Sequence, residues 1–361
     1  MNKTVKRKFF TENLLAWNKD LNKRVMPWKG EKDPYKIWLS EIILQQTRVE
    51  QGLKFYNRFI EQYPFVDQLA VAEENEVFKM WEGLGYYSRC RNLISSARHI
   101  AFEQGGKFPD NYEDILRLKG VGPYTAAAIA SFAYGLPYAV SDGNVQRVLA
   151  RFFGITIPID SSGGKKYISA LAGKLLDKAA PALYNQAIMD FGAVICRPKL
   201  PLCAECILRP GCTAFKKGMV SMLPLKEKKL IRIYRRFFYI VAEYGNSIYV
   251  RQRTGKDIWQ GLWEFMLTET PDSITAEAFL ETPAFRSIGG YEKETLMISP
   301  VFKQQLTHQT IEGVFIRIKM TAPLPGKTYM AVTRPTLNRL AFPRMINNFL
   351  ENHSVLSEPS G

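Results

Sequence analysis

Apolar residues recur at helical spacing through roughly the first 215 positions. Phe10, Leu14, Trp17 and Leu21 fall at i, i+4, i+7 and i+11, one face of an amphipathic helix. The same spacing over Ile37 to Leu44, Asn92 to Phe102 and Val145 to Leu149 predicts an all-α region ending near residue 215. After Arg236 the period changes. Phe237 to Ala242 and Ser247 to Val250 are β-rich runs, and Gly245-Asn246 between them is a hairpin signal. A second pair, Val301 to Thr310 and Val314 to Met320, alternates inward and outward residues around Glu312-Gly313, and Arg344 to Leu350 reads as a closing helix. The expected organisation is a helical domain at 1–215, a basic linker at 216–236, an α+β domain at 237–350 and a tail at 351–361.

Composition narrows the function classes. A chain of 361 residues exceeds one ordinary core, and 46% hydrophobic with 23% charged residues is a globular balance that excludes disorder. The formal net charge of +15 points to a polyanionic partner, nucleic acid first. The stretch 216–236 sharpens this, because its eight Lys and Arg face Glu227 alone. The most apolar segment, Tyr124 to Val140, is broken by Gly135 and Pro137, so no membrane span is expected and the chain reads as cytoplasmic; a monomer is expected as well. Three histidines, His99, His308 and His353, lie too far apart for a zinc-binding H-E-x-x-H helix. Acid–base chemistry therefore falls to carboxylates.

Three constellations can carry chemistry. Cys196, Cys203, Cys206 and Cys212 place four thiols in one short segment, a set able to hold zinc or a [4Fe–4S] cluster, or to stay unligated. Its single C-x2-C pair and long first gap suit the larger cubane, while Cys90 reads as a packed thiol. Leu116-Arg-Leu-Lys-Gly120-Val-Gly122-Pro-Tyr-Thr125 puts two glycines between helices at about 114–130, the helix-hairpin-helix pattern, whose N–H groups can bind a phosphate without reading sequence; a plain helix C-cap is the bland alternative. Glu41 sits among apolar neighbours that would desolvate it and raise its pKa, unless it is a surface helix residue. Asp142 precedes a helical run as an N-cap, which favours its anion, and an ordinary cap is its bland reading. An acid paired with an anion is the logic of glycosidic cleavage.

Trp38-Leu-Ser-Glu41-Ile-Ile-Leu-Gln-Gln46-Thr47, Gly83-Leu-Gly-Tyr86-Tyr87, Gly120-Val-Gly-Pro-Tyr124-Thr125, Asp142-Gly-Asn144-Val and the cysteine loop, in this order, resemble the MutY family of adenine DNA glycosylases. The helical part is similar to the wider endonuclease III superfamily. Its bifunctional members carry a Schiff-base lysine where this chain has Tyr124, so the resemblance implies a monofunctional enzyme. It further implies a [4Fe–4S] cofactor and duplex DNA with adenine opposite 8-oxoguanine or guanine as substrate, in a nucleoid-associated protein of base excision repair. Glu41 would protonate the adenine and later activate water. Asp142 would stabilise the sugar cation, with Tyr124 and Asn144 holding the site together. Gln46 and Tyr86 match positions that wedge into the duplex. Gly120, Gly122 and Thr125 match the DNA-binding hairpin, and Arg24, Met26, Trp28 and Gln186 match the base pocket. Lys29 stands where the family usually has Arg, losing a bidentate fork.

The C-terminal part resembles the family's Nudix-like domain, most clearly at Ile258-Trp-Gln-Gly-Leu-Trp-Glu-Phe265. It lacks the R-E-x-x-E-E box, so the resemblance implies recognition of 8-oxoguanine rather than pyrophosphate hydrolysis. Leu306-Thr307-His308 falls where the family has Phe-Ser-His, making Thr307 and His308 the recognition candidates on the strand pair Val301 to Met320. The rival readings are a non-catalytic iron–sulfur DNA-binding protein and an endonuclease III-like glycosylase of other base specificity.

Overall fold

A computed structural model describes residues 2–227, 231–271, 274–286, 288 and 293–352. The chain divides into two compact units, one of residues 1–70 with 95–229, the other of residues 71–94 with 230–361. Residues 228–230 of the expected linker, and His353 with the rest of the tail, lie outside the described residues.

The first unit is helical, as the 3.6-residue spacing predicts. It contains α1 (Lys3–Asp20), α2 (Pro34–Leu44), α3 (Val49–Gln62) and α4 (Val66–Val71), whose last residue falls to the other unit. Helices α5 (Glu74–Trp81) and most of α6 (Ser88–Arg98) belong to the second unit. A π-helical turn, His99–Glu103, returns the chain to the first, which continues with α7 (Tyr112–Arg117), α8 (Pro123–Tyr134), α9 (Gly143–Phe153), α10 (Ser162–Leu175), α11 (Pro181–Val194) and α12 (Thr213–Lys216). The stripe Phe10, Leu14 and Trp17 of α1 is buried against Phe152 of α9 and Phe191 of α11, with Trp17 edge-on to Phe191 at 5.0 Å. Burying each such side chain contributes roughly 1.5–3 kcal/mol, and the core sits where α1, α9 and α11 meet. Helix α2 is buried at every position from Tyr35 to Ile43 except Lys36. That is why its apolar pattern runs around most of the helix and why Glu41 is enclosed.

In the second unit the described strands form an eight-stranded mixed sheet. Its members are β1 (Ile233–Tyr244), β2 (Ser247–Gln252), β3 (Trp263–Glu264), β4 (Met266–Thr270), β5 (Lys293–Ile298), β6 (Phe302–Gln305), β7 (Gln309–Met320) and β8 (Met330–Thr333). The order β3-β2-β1-β7-β5 runs across it, and β1 pairs in parallel with β7. Short helices α13 (Ala276–Leu280) and α14 (Pro283–Arg286) follow β4, while α15 (Arg334–Arg339) and α16 (Arg344–Asn352) end the described chain. Residues 237–242 of β1 are all buried, so its run is continuous rather than alternating. Phe238 stacks on Phe279 of α13 at 4.1 Å, and Phe315 of β7 stacks on Phe349 of α16 at 4.1 Å.

Two expectations need correction. Glu312-Gly313 is not a turn. Gly313 lies inside β7 opposite Phe237, and a Cβ there would meet Met345 Sδ at 2.5 Å, so the glycine admits α16. The β6–β7 turn is instead Leu306-Thr307-His308, closed by Leu306 N–H donating to Gln309 C=O at 2.7 Å. The basic segment is also shorter in practice, because β1 begins at Ile233. Arg235 and Arg236 are paired with carboxylates of the sheet and of the loop after β2 rather than offered to phosphate.

Candidate active site

A cavity of about 780 Å³ opens in the helical unit, and among its lining residues are Arg24, Met26, Trp28, Glu41, Gln46, Tyr124, Asp142, Asn144 and Gln186. Nine positions singled out from the sequence thus converge on one space. Met26 is buried, and Trp28 meets Tyr56 edge-on at 5.3 Å.

Glu41 is presented by α2 and is only 8% exposed. Burial pushes its carboxyl up to about 7, opposed by a hydrogen bond from the Tyr124 hydroxyl and reinforced by the Asp142 charge. Near neutral pH it holds or releases a proton with comparable ease. The Tyr124 hydroxyl, enclosed beside both carboxylates, is raised well above its ordinary value, first by burial, and stays a neutral donor.

Asp142 caps α9 as its position predicts. One oxygen accepts the Val145 N–H at 2.8 Å and the other accepts Asn144 Nδ2 at 2.8 Å. The cap donors favour the anion as expected, but burial outweighs them and raises the pKa against the Val145 and Asn144 donors and the Arg147 charge. The two carboxyls still differ in kind: several donors support the Asp142 anion, one hydroxyl supports that of Glu41.

Four residues missed in the sequence organise this space and the cysteine segment. Asp190 on α11, 0% exposed, accepts from Asn22 at 2.9 Å, Arg24 at 2.9 Å, Lys29 at 3.2 Å and Gln186 at 3.0 Å. It fixes two of the expected pocket residues, and Lys29 is engaged there by a single ammonium contact in place of a fork. Asn185, also 0% exposed, accepts the Val140 N–H and donates to Ser131 Oγ and the Tyr138 carbonyl, pinning the strand-like segment before Asp142. Arg147 donates to Asn144 Oδ1, the Gly192 carbonyl and the Cys196 carbonyl, and Arg151 to the carbonyls of Arg197, Pro198 and Leu223. The available signal was two arginines four apart on the buried face of α9.

Cys196, Cys203, Cys206 and Cys212 are all free thiols. Burial, and then neighbouring sulfurs of the same set, push up Cys203, Cys206 (to about 12) and Cys212, apart from backbone donors that oppose this at the last two. Thiols crowded in this way suit a cationic group that would stabilise their thiolates, and Arg151 Nη1 already lies 3.5 Å from Cys196 Sγ. Among the described residues no three or more His, Cys, Asp or Glu side chains are placed to hold a single metal ion. Cys90 lies apart, buried, with its thiol 3.9 Å from the Val77 carbonyl.

The hairpin forms between α7 and α8. Gly120 has φ +81° and is exposed, and Gly122 is the N-cap of α8. Thr125 is withdrawn, 2% exposed with its hydroxyl accepting from Gln45 at 3.3 Å, so its side chain is not available to a phosphate. Gln46 and Tyr86, one in each unit, are exposed and share a strained feature, φ of +57° and +49°.

In the second unit a cavity of about 430 Å³ is lined by Tyr86, Asp257, Trp259, Gln305, Thr307 and His308, among others. Thr307 and His308 sit exposed in the β6–β7 turn rather than on a strand, and the hydroxyls of Tyr86 and Thr307 hydrogen-bond each other. Glu264 is buried and bound by Arg251 and Arg253.

Comparison with known proteins places this geometry. Residues 39–162 match the HhH-GPD superfamily base excision DNA repair protein, and residues 237–352 match the NUDIX domain. The adenine DNA glycosylase of Buchnera aphidicola subsp. Baizongia pistaciae is 34% identical over 71% of this chain and 73% of its own length. That of Homo sapiens is 40% identical over 57% of this chain and 39% of its own. Among solved structures, a thermostable thymine-DNA glycosylase superposes with a TM-score of 0.56 at 32% identity, over 59% of this chain and 98% of that one. An endonuclease III–DNA complex superposes with a TM-score of 0.53 at 20% identity, over 61% and 99%, a likeness of fold. Among the described residues no helix is long and apolar enough to cross a membrane. With both family models matched and a relative 34% identical over most of either chain, the chain belongs to the adenine DNA glycosylases, hydrolases of the N-glycosidic bond in base excision repair.

Proposed function

We propose that the protein removes adenine paired with 8-oxoguanine, or with guanine, from duplex DNA, acting as a monofunctional enzyme with Glu41 as its general acid. The observation that carries this reading is a buried carboxyl with a pKa of about 7 facing a cavity of about 780 Å³. A base inside the stack is out of reach, so adenine must be flipped into this space, with Gln46 filling the gap it leaves. Arg24, Met26, Trp28 and Gln186 then hold the base. Glu41 gives its proton to a ring nitrogen as the C1′–N bond breaks, so adenine leaves neutral. The Asp142 anion faces the cationic sugar carbon. Glu41, now a carboxylate, takes a proton from the water that adds to that carbon, and is restored. Tyr124 and Asn144 hold the two carboxyls in place.

Tyr124 has no amine to form a Schiff base, which supports base removal without strand cleavage. Cys196, Cys203, Cys206 and Cys212 would hold a [4Fe–4S] cluster, which supplies rigidity to a basic loop when bound. Gly120 and Gly122 offer backbone N–H groups to phosphate. Thr307 and His308 give the second unit polar groups for the edge of 8-oxoguanine.

A duplex carrying one adenine opposite 8-oxoguanine tests the reading. Alkali-revealed breaks at that adenine are expected with the native protein, and bound but uncut DNA with Glu41→Gln. Intact DNA with the native protein, or excision by Glu41→Gln at near-native single-turnover rates, would overturn it.

A further inference from the structure

Arg235, near the start of β1, uses all five of its N–H donors. Nε and Nη2 bind Glu269 at 2.7 and 2.6 Å, and Nη1 and Nη2 bind Asp257 at 2.8 Å each. Nη1 also reaches Gln309 Oε1 at 3.3 Å. The guanidinium lies 4.9 Å from the centre of the Phe237 ring, which in turn meets Trp259 edge-on at 6.1 Å. Two forked ion pairs on one guanidinium are a geometrically demanding arrangement that lysine cannot reproduce.

The three carboxylate and amide partners come from different places. Glu269 is on β4, Asp257 is in the loop after β2, and Gln309 follows Thr307 and His308 directly. Asp257 and Trp259 line the cavity of the second unit together with Thr307 and His308. Trp259 is held at φ +60°, a conformation that survives only where surroundings impose it. Close to Arg235, Ile233 N–H donates to the His308 carbonyl at 2.9 Å, and Arg236 pairs with Glu312 at 3.4 Å, so the first residues of β1 are tied to the β6–β7 turn and to β7.

We propose that Arg235 is a positioning residue for recognition of the base opposite adenine, clamping the Asp257–Trp259 loop to the Thr307–His308 turn. This rests on the reading of that cavity as the 8-oxoguanine site. Arg235 touches no DNA in this role. Its contribution is to hold the turn's polar groups at a fixed spacing from the opposite wall, so that a lesion edge is met without first ordering the loop. A turn free to shift would still admit either base, and discrimination would fall before activity did.

The test compares single-turnover excision of adenine opposite 8-oxoguanine and opposite guanine for the native protein, Arg235→Lys and Gln309→Met. Arg235→Lys keeps the charge and loses the forks. Gln309→Met removes only the bond to the residue after the turn and leaves both ion pairs, so it reports even if Arg235→Lys fails to fold. Arg235→Lys is expected to narrow the preference for 8-oxoguanine about tenfold, the equivalent of losing one well-placed polar contact, with excision opposite guanine changed less than about twofold. Gln309→Met is expected to narrow it in the same direction. An unaltered preference in a folded Arg235→Lys protein, an unaltered preference in Gln309→Met, or equal losses on both substrates would overturn the proposal. A native protein with no preference between the two duplexes would instead remove the reading on which it rests.

Discussion

Replacing Glu41 by glutamine should stabilise the protein, and do so only above the carboxylate range. Burial raises Glu41 from its ordinary 4.5 to about 7. A carboxyl whose folded-state pKa is raised contributes its full stability below the unfolded value and loses it as pH rises through the folded one. Below about 4.5 both states hold the proton and ionisation costs nothing. Between 4.5 and 7 the unfolded chain ionises while the folded one resists. Above 7 the folded state must carry a buried anion. At 1.36 kcal/mol per pH unit the penalty reaches about 3 kcal/mol, and glutamine does not incur it. The stability gap between Glu41→Gln and the native protein should therefore widen by roughly 2–3 kcal/mol from pH 5 to pH 8. For a unit of this size that is roughly 5–10 °C in the unfolding midpoint of the helical transition. Thermal unfolding of both proteins at the two pH values measures it. A gap of the same size at pH 5 and pH 8 would show that the fold does not hold Glu41 protonated.

Tyr124→Phe removes the hydrogen bond that lowers the Glu41 pKa, so the alkaline limb of the excision rate should move to higher pH by up to about one unit; a limb that stays or moves down refutes the pairing. Asn185→Leu strands the Val140 N–H and the Tyr138 carbonyl in the core, leaves the Ser131 hydroxyl only its bond to the Ala128 carbonyl, and should cost about 2–4 kcal/mol in urea unfolding, against under 1 kcal/mol if those groups found other partners. Gly154→Ala combines a left-handed backbone, φ +71°, with a Cβ 2.5 Å from Thr213 Cγ2, a destabilisation of about 2–4 kcal/mol. Adding Thr213→Ala should recover the steric part, and a double variant no more stable than the single would refute the contact.

The chemistry of the helical unit was legible because its signals are local. A mostly apolar, buried helix around Glu41 enforces desolvation, and an aspartate one residue before Gly143 caps the helix that starts there. Asp190 was not legible. A single aspartate in the apolar run of α11 looks like an interruption until four donors from distant positions arrive at it. Arg147 and Arg151 carry the same lesson, since their carbonyl acceptors are defined only once the cysteine loop folds back. In the sheet, Glu312-Gly313 has turn chemistry, yet the glycine is selected by the approach of Met345. Arg235 read as part of a basic tract because charge counting does not see the carboxylates brought to it by β4 and the Asp257 loop.

Glu41 as the proton donor is tested most directly by the pH dependence of adenine release, measured under single turnover on a duplex with adenine opposite 8-oxoguanine from pH 5.5 to 9. The native rate should fall above about 7, tenfold for each further pH unit, as the acid form of Glu41 is depleted. Glu41→Gln should show no such limb, with a rate at least about 100-fold lower at pH 6. A native rate unchanged up to pH 9, or a Glu41→Gln rate close to the native one, would contradict the assignment.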